Sequence, residues 1–409
     1  MPQPSSKNRF NHILFTILIV FGLFVIAELT ASGALWFLKQ WKGVEYTPLP
    51  EAQLSAEQEG IVRRLLAGDE GYIRYHPELG WVPNPATDKS DFATNAQGVR
   101  ASASVVAQRP DSGRIRVATF GDSFTFGHGV DYEETWQAYL EAQQPRWEVI
   151  NFGVSGYAQD QALLRYLHEG RSYHPRVVIL GFNSENVFRN LNVFRPFYSP
   201  KTEFPLTKPR FLLHDGHLQE FNNPFQQLTD YRRLLEKPAA TIRRLGEHDY
   251  YYHQLYRTGR FDGLAVVRYI KLVGYQLSGA YHPDMLFLKD NLFNVDSEGF
   301  RVAVAIIDKF VAAVRKEGAI PVILILPTGK DLVRLADGQP HQYLRFSEHW
   351  EKQQYHVLDL NDLIYNDKVN VRDPRNYTED GHNAGPLHRR VADHLSRYLT
   401  EHVLPIYEQ

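Results

Sequence analysis

Cysteine is missing from all 409 residues. That excludes disulfides, thiol catalysis, Cys-ligated zinc and iron–sulfur clusters. It also excludes a lipidated N-terminal cysteine, so any membrane attachment has to come from the polypeptide itself. An excess of one charge is missing as well: 45 Lys+Arg stand against 47 Asp+Glu, a formal net charge of -2. A protein held to nucleic acid by its overall charge is thereby disfavoured. The 17 histidines contain no HExxH pair, so neither a metal nor any other cofactor is expected. No internal repeat is visible. What the chain does have is apolar substance, 43% hydrophobic and 13% aromatic with 23 Tyr and 24 Phe. Such a composition is too rich for disorder, and the length suits one large domain or two ordinary ones.

The N-terminal region reads as a membrane segment. Residues 13–27 are uncharged and mostly apolar, and 29–38 continue after the single Glu28. A spanning helix needs roughly 20 apolar residues, so a span has to run close to or past Glu28, with that carboxylate near one interface. Trp36 and Trp41 are candidate interfacial anchors. The expected organisation is a tail (1–12), a single-pass anchor in the lipid bilayer (13–38), a polar, helix-capable tether (39–71) and a body (72–409). The rival is a cleavable signal peptide, because Ser32-Gly33-Ala34 is a small-x-small site after an apolar core. Resumption of the apolar run beyond that site favours the anchor. Lys7 and Arg9 before the segment, against Lys39 and Lys42 after it, lean towards an extracytoplasmic body.

Residues 72–113 are rich in Pro, Gly, Asn and Ser and read as irregular structure laid over a domain. Beyond them, short apolar runs at 115–120, 148–152, 177–182, 320–326 and 357–360 alternate with helical patterns. The helical patterns cover 134–144, 159–170, 299–316 and 341–354, and a last helix opens at Pro386. Continuous apolar strands separated by helices imply an α/β fold, a parallel sheet covered on both faces. The stretch 187–298 shows no clear strand alternation and reads as a helical and loop insertion.

The first strand runs into Gly121-Asp122-Ser123-Phe124-Thr125-Phe126-Gly127. Gly127 is followed by His128 rather than by Lys and Ser/Thr, which disfavours a phosphate-binding loop. A serine at the carboxyl end of a strand exposes its Oγ where reactive groups gather in open α/β sheets. Three further segments stand in order behind it: Asn151-Phe152-Gly153-Val154-Ser155-Gly156, Gly181-Phe182-Asn183-Ser184-Glu185-Asn186 and Asp380-Gly381-His382-Asn383. With these four blocks the chain resembles the SGNH, or GDSL, hydrolase superfamily over about residues 72–400.

The resemblance implies a three-layer α/β/α body with a five-stranded parallel sheet, the flavodoxin-like SGNH fold. It also implies a role for each matching residue. Ser123 would be the nucleophile, His382 the base and then acid, and Asp380 the carboxylate that fixes its tautomer. Backbone N–H groups of Ser123 and Gly156, with Gly153 the lesser choice, and the side chain of Asn186 would line the oxyanion hole. The third block departs from the family pattern, in which Asp follows the Asn; here Val187 follows Asn186, and Asn183 is the alternative donor. A second Asp-Gly-His, at Asp215-Gly216-His217, suits a turn inside the insertion. Tyr250–His253, Arg232-Arg233 and Arg243-Arg244 read as packing and solvated faces, and His128 as loop structure.

The expected function is a membrane-anchored serine esterase acting on an O-acyl ester, O-acetyl among them, of a small molecule or a cell-envelope or exported glycan. An O-acyltransferase with the same acyl-enzyme is the alternative, and a catalytically dead glycan-binding scaffold is the alternative of another class.

Overall fold

Five apolar runs form the central sheet: β1 (Ile115–Phe120), β2 (Trp147–Asn151), β3 (Val177–Phe182), β4 (Ile320–Ile325) and β5 (His356–Asp359). All neighbours pair in parallel, in the order β5-β4-β3-β1-β2. This is a doubly wound 2-1-3-4-5 order with its switch point between β1 and β3, where ligands bind beyond the strands' carboxyl ends. Parallel strands need crossovers, and the helices that supply them cover both faces. On one face Val117, Val149, Ile179, Val322 and Leu324 join Trp136 and Leu140 of helix Trp136–Gln143 and Leu387, Val391 and Leu395 of helix Gly385–Tyr398. On the other, Phe120 meets Phe152, Tyr166 and Phe310 at ring separations of 4.9, 5.5 and 6.1 Å. Tyr166 and Phe310 come from helices Gln159–His168 and Glu298–Lys316. The three-layer α/β/α body with a five-stranded parallel sheet is therefore present.

This computed structural model describes residues 6–42, 54–69, 71–253, 259–278 and 287–407. The chain divides into two compact units. One joins Met1–Ala52 to Tyr251–Leu286, and the other joins Gln53–Tyr250 to Phe287–Gln409 and holds the sheet. In the first unit, helix Ser6–Lys42 contains the stretch His12–Trp41, whose mean hydropathy of 2.6 and length of 30 residues suffice to cross a membrane.

Three stretches carry more structure than their sequence suggests. The insertion holds a β-hairpin, Arg210–His214 with His217–Phe221, and is shared between the two units. The described part of the 39–71 segment beyond residue 53 contains helix Ala56–Leu66, opened by a capping box in which Ser55 and Gln58 satisfy each other's backbone N–H. Gln58 also donates to the carbonyls of Pro200 and Thr202 at 3.0 and 3.2 Å, so this helix is docked on the insertion. Residues 43–53 lie outside the described residues. Within 72–113 a short hairpin, Ile73–His76 with Gly80–Pro83, buries Trp81 completely.

Candidate active site

β1 ends at Phe120, and the chain turns at once into a single helical turn, Ser123–Phe126. Asp122 caps it: its Oδ1 accepts from the Phe124 N–H at 3.0 Å. Gly127 closes the turn in the left-handed region with φ of 79°, a conformation that costs glycine little. Two close approaches pin this loop to the sheet. A Cβ on Gly121 or on Gly181 would come within 2.2 and 2.1 Å of Thr125 Oγ1. Ser123 is left at the N-terminus of the turn, its Oγ turned to the cleft.

The last block meets it there. His382 Nε2 lies 2.8 Å from Ser123 Oγ, and His382 Nδ1 lies 2.9 Å from Asp380 Oδ2. The 376–384 loop is rigidly tied: Thr378 N–H donates to the His382 carbonyl at 2.8 Å, the His382 N–H returns to Thr378 Oγ1 at 3.0 Å, and Asn383 Nδ2 donates to the Pro327 carbonyl at 3.0 Å. Thr378 Oγ1 donates to Asp380 Oδ1 at 2.5 Å. Burial pushes the Asp380 carboxyl up, but hydrogen bonds from Thr378 and His382, and the electrostatic pull of His382 and His128 beside it, outweigh it and hold it at about 2. Asp380 is therefore an anion throughout the physiological range.

His128 enters where sequence reasoning places only loop structure. Its Nε2 lies 3.2 Å from Asp380 Oδ2, its Nδ1 lies 3.1 Å from Ser155 Oγ, and its ring centre is 4.6 Å from that of His382. Burial, then the neighbouring His382, lower its basicity against the opposing pull of Asp380, which favours the neutral ring. Asp380 thus sits between two imidazoles. No local signal marks this role, because the contact joins a loop after β1 to one near the C-terminus.

The third block places its two asparagines differently. Asn183, directly after β3, lines the same cleft as Ser123 and His382. Its Oδ1 accepts from the Glu185 N–H at 3.0 Å, while its buried Nδ2 has no partner among the described residues. Asn186 begins the next helical turn, and its Oδ1 accepts from Arg189 at 3.0 Å. It is buried beside Asp122, whose carboxyl burial pushes up against the pull of Arg189. Asn183 therefore shares the cleft of the serine with its amide nitrogen unpartnered, while Asn186 is engaged with Arg189 and Asp122. The sequence signal for Asn183 is its place in register: Phe120 pairs with Leu180, and Ser123 and Asn183 each stand three residues beyond that rung.

The second block is stitched to the serine loop. The Val154 N–H donates to the Gly121 carbonyl at 3.0 Å, and Asn151 Nδ2 donates to the carbonyls of Thr125 and Phe126 at 3.0 and 3.1 Å. Asn151 Oδ1 takes the Gly153 N–H at 2.8 Å, which removes Gly153 as a donor. Gly156 stands at φ of 84° against Trp81 and Arg195, and its carbonyl accepts from Arg195 at 3.0 Å. It is not among the described residues lining the serine cleft.

That cleft measures about 480 Å³, and Phe124, Glu185, Arg189, Lys330 and Tyr377 are among the residues of its wall. A smaller cavity of about 330 Å³ between Ile61, Leu65, Tyr72 and Phe204 lies apart from the serine. Two groups bring three possible metal ligands together, His128–Asp380–His382 and His341–Asp359–Asp362. In the first, Ser123 Oγ and Asp380 Oδ2 already lie 2.8 and 2.9 Å from the two ring nitrogens of His382.

Residues 119–255 match the model of the GDSL-like Lipase/Acylhydrolase family. Among solved structures, the chain is similar to a GDSL-like lipase from Bacteroides thetaiotaomicron, with 13% identity, a TM-score of 0.34 and coverage of 72% of this chain and 92% of that one. It is similar also to a member of the lipolytic protein G-D-S-L family from Veillonella parvula, with 10% identity, a TM-score of 0.31 and coverage of 70% and 99%. No curated protein matches. The assignment rests on the matched family model, whose span begins at Thr119 and takes in the serine loop: residues 119–255 are a GDSL-like lipase/acylhydrolase segment, and the catalytic class is that of a hydrolase acting on ester bonds.

Proposed function

We propose that the protein is a serine esterase in which Ser123, His382 and Asp380 form the triad. The observation that carries this reading is the contact of His382 Nε2 with Ser123 Oγ at 2.8 Å, beside an uncommitted, buried Asn183 amide. Asp380 holds the proton of His382 on Nδ1, leaving Nε2 to accept from the serine hydroxyl. Ser123 Oγ attacks the ester carbonyl carbon while its proton passes to Nε2. The oxyanion then receives the backbone N–H of Ser123, at the positive end of its helical turn, and the amide of Asn183. Gly156, expected as a third donor, stands outside the residues that line this cleft, although its loop is tied to the serine loop through Val154 and Gly121. Collapse expels the alcohol, which takes the proton from His382. A water deprotonated by the same imidazole releases the acid.

His128 is a positioning residue in this scheme. Ser155 donates to its Nδ1, so its Nε2–H faces the second lone pairs of Asp380 Oδ2 and restrains that carboxylate. The substrate is an O-acyl ester, O-acetyl chief among them, carried by a polar alcohol such as a glycan hydroxyl. Arg189 and Lys330 in the cleft wall fit a polar substrate and the membrane-length helix fits an envelope location, while the extracytoplasmic side follows from the charges that flank the helix.

The test incubates the full-length protein in detergent with an activated acetyl ester, with and without oligosaccharide. A burst followed by free acetate is the expected result. Acetylated oligosaccharide with little free acetate identifies a transferase instead, and glycan binding without turnover identifies a scaffold.

A further inference from the structure

Glu28 interrupts an otherwise apolar helix, and a carboxylate at that depth is costly unless it is paired. The structure supplies its partners. The backbone N–H groups of Ala265 and Val266 donate to its two oxygens at 2.8 and 3.1 Å. Glu28 therefore caps helix Ala265–Ser278 at the end where the helix dipole favours negative charge. Residues 13–27, on the amino side of Glu28, span about 22 Å as a helix, short of the roughly 30 Å of a hydrocarbon core. A span consequently runs past Glu28 and carries the capped end of the second helix below the membrane surface.

The rest of this segment fits that depth. Lys271 Nζ donates to Asp262 Oδ1 at 2.5 Å, and Asp262 Oδ2 accepts from the Gly259 N–H at 2.6 Å, so this carboxylate is matched within the segment. Phe261 and Ile270 face outward, 62% and 64% exposed. Arg260 and Arg268 sit on arms long enough to reach headgroups from below.

We propose that residues 259–278 form a second membrane-contacting element: a re-entrant helix, held under the bilayer surface by Glu28, with Phe261 and Ile270 against lipid acyl chains. This rests on the reading of helix Ser6–Lys42 as a membrane span. Backbone that enters a bilayer without crossing it needs its polar groups satisfied by protein, and the Glu28 cap does this for the leading turn.

Because the chain has no cysteine, an introduced thiol is unique. Full-length Ile270→Cys, Leu18→Cys and Val105→Cys proteins are labelled with bimane and reconstituted into phosphatidylcholine–phosphatidylglycerol vesicles. Quenching by nitroxide-bearing lipid is then compared with quenching by aqueous iodide. Lipid quenching at 270 within about twofold of that at 18, and about fivefold above that at 105, is the expected result. Iodide quenching at 270 equal to that at 105, with position 18 still quenched by lipid, overturns the proposal while leaving the span intact. Iodide quenching at 18 overturns the span and the proposal together. Glu28→Ala should lower lipid quenching at 270 by about twofold without changing position 18; an unchanged depth at 270 removes Glu28 as the anchor.

Discussion

The chain spells Asp-Gly-His twice, and the two copies have nothing in common beyond the spelling and a left-handed glycine. In the insertion, Asp215 and Gly216 take φ of 48° and 78° and form the two-residue turn of the 210–221 hairpin, where positive φ at both positions matches the strand twist. His217 follows as the first, exposed residue of a strand. Near the C-terminus Gly381 alone is left-handed, at 85°, and Asp380 and His382 turn to the same side. There Thr378, His128 and His382 surround the carboxylate. Identical residues thus become a bend in one place and half of the proposed triad in the other, and the backbones part at the Asp itself, left-handed in the first copy and not in the second.

The comparison breaks most clearly at the histidines. His382→Ala and Ser123→Ala should each lower kcat for a small acetyl ester by about 10⁴-fold or more, with the double variant hardly worse, since triad members act as a unit. His217→Ala should keep wild-type turnover. A dead His217→Ala beside an active His382→Ala would reverse the assignment.

The next effect separates the asparagines. Asn183→Ala should cost about 10²–10³ in kcat, the value of one oxyanion donor. Asn186→Ala should act mainly on stability, lowering the urea midpoint, because it removes a buried acceptor from Arg189. Equal kcat losses would remove the distinction.

A smaller loss, about tenfold, is expected for His128→Phe, with the acid limb of the pH–rate profile displaced because Asp380 loses its second partner. An unchanged profile would leave His128 as packing alone.

Acid should weaken the fold through another histidine. His388 is fully buried beside Arg100 and His382, its Nδ1 accepting the Trp136 N–H at 3.2 Å, and burial lowers its basicity to about 3. Below about 6.5 the unfolded chain takes up a proton that the folded chain refuses, so this group removes about 1.4 kcal/mol of stability per pH unit down to its folded value. Asp380 adds the reverse case: its contribution is complete above the ordinary carboxylate range and is lost as pH falls towards 2. Urea unfolding of wild type and His388→Gln between pH 7 and 5 should differ in slope by about one proton; parallel slopes would contradict the burial argument.

The smallest effect restores the comparison to its starting point. Gly216→Ala and Gly381→Ala meet no neighbouring atom within 4 Å, so each should cost about 1 kcal/mol for the left-handed backbone alone. Only Gly381→Ala should also lower kcat.

Legibility in the sequence followed the range of the interactions involved. β1 and β3 read directly because buried parallel strands are continuous apolar runs. The edge strand His356–Asp359, half-buried along most of its length, reads one residue late. The four blocks locate Ser123, Asp380 and His382, since each follows a strand or precedes a helix. Asn183 and Asn186 share one loop, and nothing local reveals that Arg189 takes the second. The hairpin around Gly216 shows only its turn: the exposed Glu220 and half-buried Leu218 of its outer strand give no clean alternation. His128 is visible only once the 376–384 loop is folded over it.

The shared rung between Phe120 and Leu180 has a consequence for how such a protein can change. Neighbouring strands repeat at about 4.8 Å, and Ser123 and Asn183 stand equally far beyond that rung. Their starting points are thus set by the main-chain ladder, and the Asp122 cap and the close approach of Thr125 to Gly121 and Gly181 fix the serine turn beyond it, none of which involves the side chain of Phe124, Lys330 or Tyr377. Exchange of Phe124, Lys330 or Tyr377 can alter which acyl group or alcohol fits while the spacing stays constant. Loss of one residue from within β3 would instead turn the rest of that strand over. Freedom to diversify the substrate and intolerance of a change in length have the same origin.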